Sequence, residues 1–260
     1  MLSVLPRRCG GIGRHGRFKI CLWQRSAGSS PVIGILFGKK MSWILDYSPI
    51  FFDFDGLLVN TEHLHYQAYE RMMERNGMSF PWDFLTFAEV AHKSSHGLRE
   101  LITSHANALV ETLSWETLYD QKKEEYAQLL EEGNLELMPG AQTILESVQL
   151  AKIPHAVVTN STREQTEKIR EKIPVLNKIP HWITREDYQN PKPAPDAYLK
   201  AIEVLGKSDK MLGFEDALRG IRALQGASIT PVLICPSDHP QMADVPKNSL
   251  RYYPSLVACL

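Results

Sequence analysis

From Ser48 onward the chain alternates short apolar runs with stretches of helical period. Ile50-Phe51-Phe52 follows Pro49 and ends at Asp53-Phe54-Asp55-Gly56, which reads as a buried strand running into a loop. Ala156 to Thr159, Met211 to Phe214 and Thr230 to Ile234 repeat the pattern, and His181 to Thr184 is a weaker version of it. Between these runs the spacing predicts helices over Ala141–Leu150, Arg163–Lys172, Pro195–Leu205 and Ala217–Gln225, with Pro195 in the first turn of its helix. Strands alternating with helices predict an α/β fold: a Rossmann-like parallel sheet with helices on both faces.

The stretch between the first two strands is different. Leu64, Ala68, Tyr69 and Met72 give residues 62–76 a helical apolar face, and Leu85, Val90, Leu98, Leu101, Ile102 and Leu109 continue it through 80–132. Glu124 to Glu132 is rich in charge and reads as a solvated helix face, before Pro139-Gly140 breaks the pattern. A block of this size is too large for a simple crossover. It predicts an inserted α-helical cap domain over 62–135, with 41–61 and 136–260 forming the catalytic core.

Composition changes the picture mainly at the N-terminus. The apolar fraction of 43% suffices for a sizeable core, and no run approaches the ~20 apolar residues of a membrane span. Cys9, Cys21, Cys235 and Cys259 show no C-x-x-C spacing, so they read as thiols in a reducing compartment and a cytoplasmic location is expected. Residues 1–40 hold eight Lys or Arg and no acid, so the rest of the chain carries 21 of the 29 basic residues and all 30 acids. Such an acidic body lacks the basic surface that gripping nucleic acid requires. The basic head fits an RNA-binding arm or a transit peptide.

A third reading fits residues 1–40 better. Gly16-Arg17-Phe18-Lys19-Ile20-Cys21 back-translates to GGC AGA TTT AAA ATC TGC, where GCAGA pairs with TCTGC around a loop centred on TAA. Codons for Gly11 to His15 can spell a leucine-tRNA D arm, and those for Gly28 to Pro31 a T arm, in the order a tRNA gene requires. The expectation is an open reading frame carried upstream through a tRNA gene, with Met41 as the true start and 1–40 a non-native or disordered extension.

Reactive groups stand at the carboxyl ends of the predicted strands, where ligands bind in such sheets. Asp53 and Asp55, at i and i+2 on a turn, allow one carboxylate to attack while the other handles protons. Taken alone, D-x-D-G is more readily a solvated loop; its place directly after Ile50-Phe51-Phe52 is what favours a site. Thr159 and Asn160, with Ser161, offer a hydroxyl and backbone N–H groups ahead of a helix, suited to phosphate. Ser161 or Thr162 serves equally as a plain helix cap. Lys192, among Pro191, Pro193 and Pro195, is either a fixed cation or a surface lysine, and Asp196 reads as a helix-start residue. Glu215 and Asp216 complete a site for a hard cation or simply favour a helix dipole.

Together Phe52-Asp53-Phe54-Asp55-Gly56-Leu57-Leu58, Val158-Thr159-Asn160-Ser161, Lys192-Pro193-Ala194-Pro195-Asp196 and Gly213-Phe214-Glu215-Asp216 resemble the haloacid dehalogenase superfamily over about residues 49–235. The resemblance implies an Mg2+-dependent phosphatase working through an aspartyl-phosphate. Asp53 would be the nucleophile and a metal ligand. Asp55 would be the acid–base group and bind metal through its carbonyl. Thr159, Asn160 and Lys192 would hold phosphate, and Asp216 would anchor the metal with Glu215 nearby. The substrate would be a small phosphomonoester of sugar phosphate or phosphoglycolate type, and the chain a monomer or weak oligomer with no nucleic-acid or membrane partner. The helical insert and Leu57 to Glu62 are similar to the β-phosphoglucomutase-like and phosphoglycolate phosphatase-like branch. His65 falls where the mutase carries a cap histidine; Lys93 and Arg99 are candidate substrate contacts. Two departures stand out: Asn60 replaces the usual Asp, and Gly97 occupies the position of the arginine that grips the mutase's second phosphate. They favour a phosphatase over a mutase. A dehalogenase fits Asp55 and Glu215-Asp216 poorly, and a non-catalytic binding protein on the same fold is the alternative outside enzymology.

Overall fold

The computed structural model describes residues 43–93, 95–133, 135–245 and 250–260. All three readings of residues 1–40 fall outside these. The sheet has six parallel strands in the order β3-β2-β1-β4-β5-β6. They are β1 (Ile50–Phe52), β2 (His155–Val158), β3 (His181–Ile183), β4 (Leu212–Glu215), β5 (Thr230–Ile234) and β6 (Arg251–Tyr253). β1 lies between β2 and β4, with Phe52 in register with Val157 on one side and Phe214 on the other. The order reverses at β1, so the ends of β1, β2 and β4 converge on one crevice. Every residue of β1, β2 and β4 is buried, as near-continuous apolar runs in a doubly covered sheet require.

α6 (Ala141–Leu150), α7 (Arg163–Lys172), α8 (Asp196–Leu205) and α9 (Leu218–Gly226) connect the strands. One face of the sheet packs Phe51, Val158 and Leu233 against Tyr198, Ile221 and Leu224 of α8 and α9. Gly213 is required there, because a Cβ would stand 2.2 Å from Leu224 Cδ2. The pairing of β6 with β5 was not predicted: its three residues are exposed or half-buried at the sheet edge and carry little apolar signal. A short closing helix, α10 (Leu256–Cys259), is capped by Ser255.

The insert between β1 and β2 is helical, as expected. It comprises α1 (Glu62–Arg75), α2 (Phe84–Lys93), α3 (Ser95–His105), α4 (Asn107–Thr112) and α5 (Trp115–Glu132). These helices share their own core of Tyr69, Met72, Met73, Phe87, Leu98, Ile102 and Leu118. Leu85 departs from the predicted apolar face. It is 55% exposed, because the inward stripe of α2 runs through Phe84, Phe87 and Ala91 at helical spacing and leaves Leu85 outside it. α1 packs along α5, and Arg71 and Arg75 reach Glu132 (3.0 Å) and Glu124 (2.8 Å) on the solvated face expected there. α2 also touches the sheet domain: Arg219 donates to the Ala91 carbonyl at 3.1 Å, and the His92 ring stacks on His239 with centroids 4.8 Å apart.

Candidate active site

β1 ends at Asp53, whose N–H continues the ladder by donating to the Phe214 carbonyl of β4 at 3.0 Å. The chain then turns through Gly56 at φ +78°, and a side chain there would put its Cβ 2.2 Å from Asp216 Oδ2. The glycine thus serves two needs, a left-handed turn and backbone contact with the acid from β4. Asp53 itself is buried.

Lys192 crosses to it from the loop before α8. Its ammonium donates to Asp53 Oδ1 at 2.5 Å, Glu215 Oε1 at 2.7 Å and the Val158 carbonyl at 2.8 Å. An ammonium has three protons, so this cation is fully satisfied. The lysine is held by its own backbone: its N–H donates to Asn160 Oδ1 at 3.2 Å, and the Tyr188 hydroxyl donates toward the same oxygen at 2.8 Å. The Tyr198 hydroxyl completes the cluster by donating to Glu215. A Cβ at Gly220 would fall 2.0 Å from the Glu215 carboxylate, so α9 can approach that buried acid only with glycine there.

Asp55 faces the other way. Its Oδ1 accepts from Thr61 at 2.7 Å, and its Oδ2 from Thr159 at 3.0 Å and Ser161 at 2.6 Å. Both oxygens of the carboxylate are therefore oriented by hydroxyls. The Thr159 side chain, expected to face phosphate, is turned to Asp55 and also accepts the Ser161 N–H at 2.9 Å. Ser161 is not the helix cap. Thr162 is, in a reciprocal capping box with Gln165, which leaves Ser161 free for Asp55. Asp196 opens α8 and accepts from the Asn190 backbone and side chain, as its helix-start reading requires.

The acids are crowded. Burial, then the charge of Glu215, lift the Asp53 carboxyl to about 7 against the opposing pull of Lys192. Burial, then Glu62, lift Asp216 to about 8. Burial raises Glu215 as well, while Lys192, though disfavoured by its own burial, is held above its usual value by Asp53 and Glu215. Oxygens of Asp53, Glu215 and Asp216 all lie within 4.8 Å of one another. Oxygen-only donors whose own charges repel one another fit a hard divalent cation such as magnesium. The Asp55 carboxylate is outside that group, being occupied by hydroxyls.

Asp53, Asp55, Thr159, Asn160, Lys192, Glu215 and Asp216 thus meet around one small cavity of about 30 Å³. It adjoins a larger cavity of about 690 Å³ that shares Asp55, Asn160 and Asp216 and runs between the sheet edge and the helical insert. His65 lines this larger cavity, stacked on Tyr126 with centroids 4.1 Å apart. Enclosure and the neighbouring Lys122 charge hold His65 well below its ordinary value. Arg99 also lines the cavity, 3.8 Å from Glu116. Lys93 closes α2, but its side chain lies outside the described residues.

Several residues at the site had no clear sequence signal. Lys122 is buried and donates to His65 Nδ1 at 2.8 Å, and burial lowers it to about 7 despite Asp55 and with help from Lys123. His92, also buried, donates to Glu62, and an oxygen of Asp216 lies within 4.8 Å of both. Burial alone would raise Glu62, yet the His92 hydrogen bond and charge bring it below the usual carboxylate range. Arg219 borders both cavities from the first turn of α9.

Carboxylates and a buried lysine converging at the switch point of a parallel sheet fit the class of Rossmann-like enzymes that bind their ligands at strand carboxyl ends. The chain belongs to the haloacid dehalogenase-like hydrolase family, whose profile matches residues 50–234. It is 29% identical over 190 residues to a probable pseudouridine-5'-phosphatase of Drosophila melanogaster, covering 70% of this chain and 79% of that one. It is 30% identical over 206 residues to a β-phosphoglucomutase of Mycobacterium bovis, covering 70% of this chain and 78% of that one. Among solved structures, a haloacid dehalogenase hydrolase from Entamoeba histolytica superposes with a TM-score of 0.66 at 24% identity, over 81% of this chain and 94% of that one.

Proposed function

We propose that the protein is an Mg2+-dependent phosphatase that hydrolyses a small phosphomonoester, of sugar phosphate or phosphoglycolate type, through an aspartyl-phosphate on Asp53. The observation that carries this reading is the Lys192 bridge between Asp53 and Glu215, beside Asp216 and with Asp55 two residues on. Magnesium would be held by Asp53, Asp216 and the Asp55 carbonyl, with Glu215 nearby, and when bound supplies positive charge to phosphoryl oxygens.

In this reading a carboxylate oxygen of Asp53 attacks phosphorus as the ester P–O bond breaks. Asp55 gives its proton to the departing alkoxide. It then takes a proton from water, which attacks the same phosphorus, releases Asp53 and yields inorganic phosphate. Thr61, Thr159 and Ser161 hold Asp55 for both transfers. Lys192 keeps Asp53 oriented and offsets charge on the transferred group, with Thr159 and Asn160 beside it. Residues 62–135 act as a cap whose closure excludes water, with His65 and Arg99 facing substrate and Lys93 remaining a candidate contact by its sequence position alone. Buried free thiols at Cys235 and Cys259 support a reducing, cytoplasmic setting.

Phosphate release from a phosphomonoester panel with Mg2+ tests the proposal, with Asp53→Asn as control. Turnover that disappears in the folded variant is expected; Asp53→Asn at wild-type rate overturns it. Isomerisation of a glucose phosphate without net phosphate release would replace the phosphatase by a mutase.

A further inference from the structure

Asp216 stands just past β4, in a bend outside the paired register of β4 with β5, which ends at Glu215 and Leu233. Two residues later α9 begins at Leu218. The residue between them, Ala217, gives that helix no side-chain cap, although the first N–H groups of a helix need acceptors. A buried side chain from elsewhere in the chain ties this connection down. Gln241 follows β5 in a short 3-10 helix, Pro240–Asp244, and is 1% exposed. Its amide nitrogen donates to the Asp216 carbonyl at 2.7 Å and to Cys235 Sγ at 3.0 Å, and its Oε1 accepts the Leu218 N–H at 3.0 Å. Both amide protons and the oxygen are therefore used.

The reverse amide orientation would set oxygen against the Asp216 carbonyl and N–H against N–H, so these partners allow a single orientation. The backbone N–H of Gln241 donates to His239 Nδ1 at 3.2 Å, which holds the turn that presents the amide. Burying an amide is costly unless its groups are met, and a leucine or methionine would fill the same space. Neither could grip a carbonyl and an N–H two residues apart. The amide thus fixes both ends of the connection that carries the Asp216 carboxylate into the site.

Resting on the reading of Asp216 as the metal anchor, we propose that Gln241 is a positioning residue for the Mg2+ site, acting through the Asp216 backbone and touching neither metal nor substrate. Groups that orient a metal ligand are worth about 10–100-fold in metal affinity. Gln241→Met and Gln241→Leu keep most of the volume and remove all three side-chain bonds; Cys235→Ala removes the sulfur partner alone. Calorimetric titration of Mg2+ into the metal-free full chain is expected to give a Kd raised about tenfold or more in both Gln241 variants and unchanged in Cys235→Ala. Phosphomonoester turnover in those variants should return toward the wild-type kcat at saturating Mg2+, and melts in EDTA read their folding separately. A glutamine that serves packing alone would lower Tm and leave the Mg2+ Kd unmoved. That result in either folded Gln241 variant overturns the proposal, as does an equal rise of Kd in Cys235→Ala.

Asp216→Asn in the same titration separates the two readings. Mg2+ binding that survives Asp216→Asn unchanged removes the metal anchor itself. Binding lost in Asp216→Asn but intact in both Gln241 variants keeps the anchor and removes only the role of the glutamine. Because calorimetry needs no turnover, a raised Kd in the Gln241 variants supports the positioning role even where no phosphomonoester is hydrolysed.

Discussion

Replacing Lys192 by methionine isolates what the buried cation does. Methionine keeps most of the stem volume and removes every donor. It leaves Asp53 and Glu215 facing each other with side chains 10% and 2% exposed, and frees the Val158 carbonyl. Removing one partner of a buried ion pair costs about 3–5 kcal/mol; at ~2–4 °C per kcal/mol for a protein of this size, that is a loss of about 6–20 °C in Tm. The loss depends on pH with a definite sign. Asp53 and Glu215 are already raised with the lysine present, and they rise further without it. A carboxyl raised on folding contributes stability below its unfolded value of ~4 that is lost as pH climbs through the folded value. At pH 5 Asp53 is largely protonated in the variant and needs no cation, so the penalty shrinks. At pH 8.5 the variant must hold charged acids unpaired or take up protons, and the penalty is largest. Thermal melts of both proteins in EDTA at pH 5 and 8.5 read this directly. Equal Tm losses at the two pH values, or a loss under about 2 °C at pH 8.5, would refute the electrostatic account of the lysine. Phosphatase turnover should fall together with Asp53 orientation, by about a thousandfold, since the same cation neutralises the transferred group.

Metal binding should follow the same acids. Because Asp53 and Asp216 are lifted to about 7 and about 8, metal-free protein should lose stability as pH rises from 5 to 8.5, and Mg2+ should raise Tm more at 8.5 than at 5. An Mg2+ shift independent of pH counts against those ligands. Gly56→Ala pushes a Cβ to 2.2 Å from Asp216 Oδ2 at a left-handed φ, so the Mg2+ concentration for half-maximal activity should rise about tenfold. An unaltered Mg2+ titration rejects that. Gly220→Ala places its Cβ 2.0 Å from Glu215 and should cost ~1–3 kcal/mol in urea unfolding, as overpacking does, with no change in the m-value.

What the sequence disclosed and what it withheld divide by range. β1, β2, β4 and β5 were legible because a strand buried on both faces writes itself as a short apolar run, and Asp53, Thr159 and Asp216 follow those runs directly. Lys192 was legible from its prolines, although nothing local says that it bridges β1 and β4. Residues that depend on how the helical insert lies were not legible. Lys122 sits in Gln121-Lys122-Lys123-Glu124-Glu125, a charged run at the edge of the Glu124 to Glu132 stretch read as a solvated face, and its neighbours Lys123 and Glu124 are exposed. Helix geometry then turns Lys122 to the same side as Leu118, Tyr126 and Leu129, and the packing of α5 on α1 buries all of them. The same crossing brings Lys122 to His65, a pair 57 positions apart in the chain. His92 is similar: one histidine near the end of α2 carries no signal until that helix lies against Glu62 and His239. A charged residue at an inward helical position cannot find water, so it must find a partner across the interface. Charged residues that share a helix side with buried leucines are therefore where sequence reading should look first for substrate-facing groups in such an insert. By that criterion Lys122 could have been singled out from the Leu118, Tyr126 and Leu129 spacing alone.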